Sequence, residues 1–191
     1  MLKSNLLIFV DGDHKIGLGH ISRQMSLVHV WKNFNVVFFT STPSIKKLVS
    51  KKYSIVTYDP FNLHSLKNKI IKLDPGIIIL DKLKERSSII KLLQNCCQNV
   101  VSIDYIGKNK HILQKGFSIL YPVSGVSTYS STFNFDYVIL KKSFLKQKPI
   151  KIKKHVKSII ILQGGADTHC FIPKIISSLF FINDVIKITI V

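Results

Sequence analysis

The segment Asp11–Arg23, DGDHKIGLGHISR, sets a histidine, an arginine and two closely spaced glycines just after an apolar run that ends on an aspartate. Asn5–Asp11 reads as a buried strand. Gly19–Asn33 reads as a helix, because Ile21, Met25, Val28 and Trp31 recur at three- and four-residue spacing. Gly17-Leu18-Gly19-His20 therefore falls where the chain leaves the sheet. Glycines there permit a sharp turn and let a ligand approach the backbone. A helix start offers N–H groups without helical partners and a partial positive charge, which suit an anion. A neutral imidazole at His20 is what a general base requires. Arg23 lies three residues on, near the same helical face, and is suited to bind a carboxylate or phosphate. On the residues alone, His20 is equally readable as a structural histidine at a helix start. Dinucleotide binding is disfavoured, since Ser22 stands where the third glycine of G-x-G-x-x-G would be.

Ligands of open parallel sheets bind beyond the carboxyl ends of the strands. The residues expected there are Asp11, Asp81, Asp104 and the pair Gly164-Gly165. With nine Asp and one Glu in the chain, three aspartates at strand ends mark a candidate site. Each is also readable as a helix cap or turn residue. His14 and His169 are candidates for the border of the cleft. His29, within the first helix, reads as a partly buried or surface residue.

The elements that would position these residues alternate along the chain. Further strands are expected at Phe34–Thr40, Tyr53–Tyr58, Ile77–Asp81 and Val100–Asp104. A short helix runs from a Thr42-Pro43 cap to about Lys51, and longer ones cover Asn62–Leu73 and Lys84–Cys97. This order predicts a doubly wound parallel sheet. Beyond Gly107, Phe117–Tyr121 and Asp136–Leu140 are short strand candidates around a loop at Ser124–Thr132. Lys141–Lys157 carries eight lysines in seventeen residues and reads as a solvated linker. A strand at Ser158–Leu162, a helix from near His169-Cys170 to Phe181 and a strand at Val185–Val191 then restart the pattern. The expected division is residues 1–145, a Rossmann-like domain carrying the catalytic loop; 146–157, a Lys-rich linker; and 158–191, the first βαβ unit of a second Rossmann-like, nucleotide-binding domain whose remainder is absent.

Composition narrows the class. The 191 residues are 46% hydrophobic, ample for a packed core. No apolar run reaches the ~18–20 residues of a membrane span, and Leu6–Val10 is too short for a signal core. The expectation is a soluble, cytoplasmic monomer without membrane partners. The net charge of +18 comes from 26 lysines and only two arginines, Arg23 and Arg86. Base readers and phosphate clamps favour arginine, so a nucleic-acid partner is not expected. The lysine coat still suits attraction of an anionic substrate. Three cysteines, two of them adjacent, form neither a disulfide framework nor a metal-ligand spacing.

D-x4-IGLGH-x2-R at Asp11–Arg23 resembles the N-terminal signature of the UDP-2,4-diacetamido-2,4,6-trideoxy-β-L-altropyranose hydrolases, enzymes of pseudaminic acid biosynthesis. Ile77–Asp81, Val101–Asp104, Val138–Phe144 and Ile159–Asp167 resemble later segments of that family in the right order, across essentially the whole chain. Only the first motif is specific. The resemblance implies a two-domain GT-B fold with the active site in the interdomain cleft. It implies hydrolysis of a UDP-sugar at the anomeric carbon, without a metal or other cofactor. It also implies that His20 activates the water and that Gly164-Gly165 contribute backbone contacts near the ligand. This sequence departs from the family at Lys82 and Leu83, where His-Tyr is usual, at Tyr105, where a second Asp is usual, and at Lys141, where Arg is usual. These departures bear on which sugar is bound. In the family most nucleotide contacts come from the C-terminal domain, so a chain ending at Val191 is expected to hold only the N-terminal half of the site. The alternatives are a related GT-B glycosyltransferase and a non-catalytic remnant.

Overall fold

The computed structural model describes residues 3–13, 16–105, 117–121, 131–133, 138–151, 154–163, 167, 169–181 and 186–191, with 117–121 and 131–133 as backbone only. The fold is α/β and Rossmann-like. Seven strands form one sheet: β1 (Ser4–Val10), β2 (Phe34–Thr40), β3 (Ser54–Thr57), β4 (Pro75–Asp81), β5 (Val100–Ile103), β6 (Phe117–Tyr121) and β7 (Ser131–Phe133). Their order is β3-β2-β1-β4-β5-β6-β7, and every neighbouring pair is parallel. The order reverses between β1 and β4. Chains leaving those two strands part to opposite sides there, and a crevice opens at their carboxyl ends.

Alternation along β1 divides the core. Leu6, Ile8 and Val10 face one side, with Val36, Phe38, Ile79 and Ile103. Helix α1 (Gly19–Leu27) covers that side through Ile21, which is buried. Leu7 and Phe9 face the other side, with Phe39, Ile78, Leu80 and Val100. There α2 (Leu63–Leu73) inserts Leu66 and Ile70, and α3 (Ser87–Cys96) inserts Ile89, Ile90 and Leu93. Each such burial contributes roughly 1.5–3 kcal/mol. Apolar residues on both faces are why β4 reads as the continuous run Ile77–Leu80.

The helices are shorter than their periodicity predicts. α1 ends at Leu27, not Asn33, and the chain then turns through Val30 N–H to Leu27 O and Phe34 N–H to Trp31 O. Trp31 still packs, edge-on to Phe34 at 5.3 Å. Periodicity reports burial, and a turn can bury Trp31 as well as a helix does. The helix expected after Thr42-Pro43 is a single 3-10 stretch, Pro43–Lys47. Thr42 does not cap it, because its Oγ1 accepts the Gly12 N–H at 3.0 Å instead. α2 has the cap its sequence suggests: Asn62 Oδ1 accepts the Ser65 N–H at 3.0 Å. It stops at Asp74, whose φ of 42° is left-handed, and Pro75 follows.

After β5 the expectations fare unevenly. β7 lies in part of the segment read as a Ser/Thr loop; short Ser/Thr sequences tolerate an edge strand. Residues 136 and 137 of the expected Asp136–Leu140 strand lie outside the described residues, and 138–140 are not strand. Among its described residues, the Lys-rich segment holds one four-residue helix, α4 (Lys142–Leu145). β8 (Ser158–Ile161), α5 (Phe171–Leu179) and β9 (Lys187–Ile190) form a separate two-stranded parallel sheet with its crossover helix. Cys170, at φ 51°, precedes α5, and Pro173 occupies its first turn as expected. Among the described residues no helix is long and apolar enough to cross a membrane.

Candidate functional site

The loop after β1 is folded on itself. Asp13 Oδ1 accepts the Ile16 N–H at 2.7 Å, and Asp13 O accepts the Gly17 N–H at 2.8 Å. Gly17 closes this turn at φ 87°, where a side chain would be strained. Gly12 is the tighter constraint: a Cβ there would meet Ile21 Cδ1 at 2.5 Å. The turn delivers the chain into α1 at Gly19, with no side-chain cap.

α1 then presents His20, Arg23 and Gln24 to one buried carboxylate. His20 Nδ1 lies 2.7 Å from Asp81 Oδ1. Arg23 donates from Nε to Asp81 Oδ2 at 3.0 Å and from Nη2 to Asp81 Oδ1 at 2.5 Å. Gln24 Nε2 donates to Asp81 Oδ2 at 2.5 Å. Spacings of three and four residues put these three side chains on one helical face. Asp81 is fully buried. Burial pushes its carboxyl up, but the bonds from His20, Arg23 and Gln24 outweigh that and hold it below the ordinary aspartate value. An ionised carboxylate only accepts, so the proton between the two groups sits on Nδ1; in the neutral imidazole Nε2 then carries the lone pair, and among the described residues no hydrogen bond engages it.

Arg23 also donates from Nη1 to Asp104 Oδ2. Asp104 follows β5 at φ 54°. This left-handed residue breaks the strand's alternation, so Ile103 and Tyr105 enter opposite halves of the core. Its carboxylate thereby reaches the α1 side. Burial lowers the Arg23 guanidinium, and its bonds to Asp81 and then Asp104 more than restore it, leaving it above its ordinary value.

A second ionic group lies on the other side of β4. Lys82, 8% exposed, places its ammonium 2.6 Å from Asp11 Oδ2, 2.9 Å from Glu85 Oε2 and 2.6 Å from Tyr58 Oη. Burial pushes the ammonium down, and Tyr58, Glu85 and Asp11 outweigh it, so Lys82 stays charged. Asp11 also accepts from Ser41 N–H at 2.7 Å, Ser41 Oγ at 2.8 Å and Thr40 Oγ1 at 2.9 Å. Burial raises the Asp11 carboxyl, and Lys82 and Ser41 bring it below its ordinary value. The Lys82–Glu85 pair holds the chain in a loop, which is why α3 begins at Ser87 and not at Lys84.

Between the two groups is a cavity of about 200 Å³ lined by Asp11, Ile16, His20, Asp81, Lys82, Leu83 and Lys84. Its floor is ionic and its rim half apolar, with Ile16 50% and Leu83 44% exposed. His20, 15% exposed, is the histidine that lines it, and among the described residues no hydrogen bond engages its Nε2. A roomier hollow of about 600 Å³ runs beside α1, from Leu18 to Lys141–Ser143, and contains none of these ionic groups.

Of the residues singled out in the sequence, the structure brings His20, Asp11 and Asp81 to the cavity. Asp104 and Arg23 lie behind it. Arg23, expected to bind a ligand's anionic group, donates to Asp81 and Asp104. Gly17 shapes the loop and Gly19 opens α1. His14, Gly164 and Gly165 lie outside the described residues. His29 is exposed beyond the end of α1, and His169 lies beside Phe171. Sequence reasoning missed Gln24 and the pairing of Lys82. A polar residue at the helical position after Arg23 was the available signal for Gln24. Among the described residues no three His, Cys, Asp or Glu side chains are grouped to hold a metal ion.

No family model matches the chain. It is similar to the uncharacterized protein MJ1062 of Methanocaldococcus jannaschii, with 25% identity over 197 aligned positions. The match takes in 91% of this chain and 39% of the archaeal protein, so the chain spans well under half the length of that relative.

Proposed function

We propose that this chain carries the water-activating half of a nucleotide-sugar hydrolase site, acting on a UDP-linked diacetamido-trideoxy sugar as in pseudaminic acid biosynthesis. One observation carries the reading: His20 Nδ1 lies 2.7 Å from the buried Asp81 carboxylate, and the imidazole lines an open cavity. In the reaction, Nε2 takes a proton from water as the water oxygen bonds to the anomeric carbon. The bond from that carbon to the diphosphate oxygen breaks, and UDP departs with the electron pair. Asp81 steadies the imidazolium that forms, as a buried carboxylate behind a histidine does in other hydrolases.

The paired cations refine the picture. Arg23 and Lys82 are neutralised by aspartates and Glu85, so the floor beside His20 suits an uncharged sugar ring better than a diphosphate. The uncapped start of α1 and exposed Lys84 are the electropositive groups on the described rim. Ile16 and Leu83 offer apolar contact to a deoxy or acetamido methyl group.

The test is UDP release from the diacetamido sugar nucleotide by the full chain. His20→Ala is expected to lower kcat by at least about 100-fold, the usual contribution of a general base. Undiminished turnover in that variant removes His20 from the chemistry. Products analysed with and without an added acceptor alcohol separate hydrolysis from transfer. Loss of both UDP and UDP-sugar binding in calorimetry indicates a non-catalytic chain.

A further inference from the structure

Gln24 is polar, fully buried and outside the cavity, and the proton transfer described above makes no use of it. Its Nε2 meets Asp81 Oδ2 at 2.5 Å, while its Oε1 has no hydrogen-bond partner. A buried amide oxygen without a donor is unfavourable, and an apolar side chain of the same shape would avoid it. The bond to Asp81 is what the amide supplies in return. With it, each Asp81 oxygen accepts two donors: Oδ1 from His20 and Arg23, Oδ2 from Arg23 and Gln24.

We propose that Gln24 is a positioning residue for His20: its amide ties down Asp81 Oδ2, so that the carboxylate meets the imidazole through Oδ1 alone, and draws off part of the charge that the imidazole faces. The proposal rests on the reading of His20 as the base. A carboxylate with fewer donors interacts more strongly with an imidazolium. Without the amide, His20 would hold its proton more tightly and its Nε2 would be blocked over a wider pH range. The other charged groups near His20 among the described residues are Arg23, with Nη2 3.3 Å from Nδ1, Asp104 behind Arg23, and Asp11, Lys82 and Lys84 around the cavity. Among the described residues none of these groups hydrogen-bonds to the Gln24 side chain, which meets Asp81.

The test is nitrogen-15 NMR of the imidazoles in the full chain, with Gln24→Met, which keeps the side-chain volume and removes both amide atoms. The unaltered chain is expected to show His20 with its proton on Nδ1. In Gln24→Met the His20 titration midpoint is expected to rise by about one pH unit. The acid limb of kcat/KM is expected to move with it. In an Asp81→Asn background, adding Gln24→Met is expected to leave the midpoint where it was. A midpoint unchanged by Gln24→Met in a folded chain overturns the proposal, as does an equal shift in the Asp81→Asn background. Should Gln24→Met not fold, the side-chain amide protons of Gln24 in the unaltered chain decide. They are expected to shift with the His20 midpoint, and indifference to it overturns the proposal. The NMR readings need no substrate, so absence of UDP release would sink the hydrolase reading and leave the Gln24–Asp81–His20 coupling standing.

Discussion

Asp81 is a carboxylate with no exposed surface and donors on both oxygens. It titrates below its ordinary value in the folded chain, and so does Asp11. In the unfolded chain both return to about 4. As pH falls, the unfolded chain therefore takes up protons first. The stability these groups contribute is complete above about pH 4 and is lost as pH falls through the folded values. Asp81→Asn removes one of the two. Urea unfolding between about pH 3 and pH 7 is expected to show lower stability at neutral pH and a flatter acid limb. An acid limb as steep as in the unaltered chain would place the dependence elsewhere. At this scale the sequence was legible in part. His20, Arg23, Asp81 and Asp104 are recognisable because glycine spacing, helix phase and strand ends are written locally. That Arg23 bonds to both Asp81 and Asp104 was not legible. It depends on which side chains meet across intervals of 58 and 81 residues.

Between elements, Lys82 is the strongest tie. Its ammonium sits at the end of β4 and holds Asp11 after β1, Tyr58 after β3 and Glu85 in the loop before α3. Removing one partner of a buried ionic group leaves the others unpaired. Lys82→Met is expected to cost about 3–5 kcal/mol in urea unfolding, whereas Lys84→Met, at an exposed position two residues on, should change stability by less than about 0.5 kcal/mol. Equal effects would mean that Lys82 is no strut. Its burial could not be read from sequence, where it is one of 26 lysines. Helix ends were also hard to read: Trp31 continues the apolar phase of α1 after its hydrogen bonds have stopped.

Across the whole molecule, stability follows burial. β1 from Leu6 to Val10 is fully buried, whereas every residue of β9 is exposed. Amides in β1 and β4 are expected to exchange hydrogen only through global unfolding, and those of β9 at least about 100-fold faster. Equal protection across both sheets would contradict this. The alternation of strand and helix patterns over the first hundred residues made the parallel sheet legible, because each apolar run is bounded by turn residues. β7 was not legible, since an edge strand of Ser-Thr-Phe carries no apolar period.

The neighbouring charges Asp81 and Lys82 have a consequence for how β4 finds its place. Parallel strands can slide against one another, and a run as uniform as Ile77–Leu80 offers little resistance to a slip of one residue. A slip one way would bring Lys82 against Arg23; a slip the other way would bring Asp81 against Asp11 and Glu85. Both misalignments bury like charges together. The pair that serves the cavity thus also marks the register at the end of an otherwise featureless strand, because either slip would set like charges together.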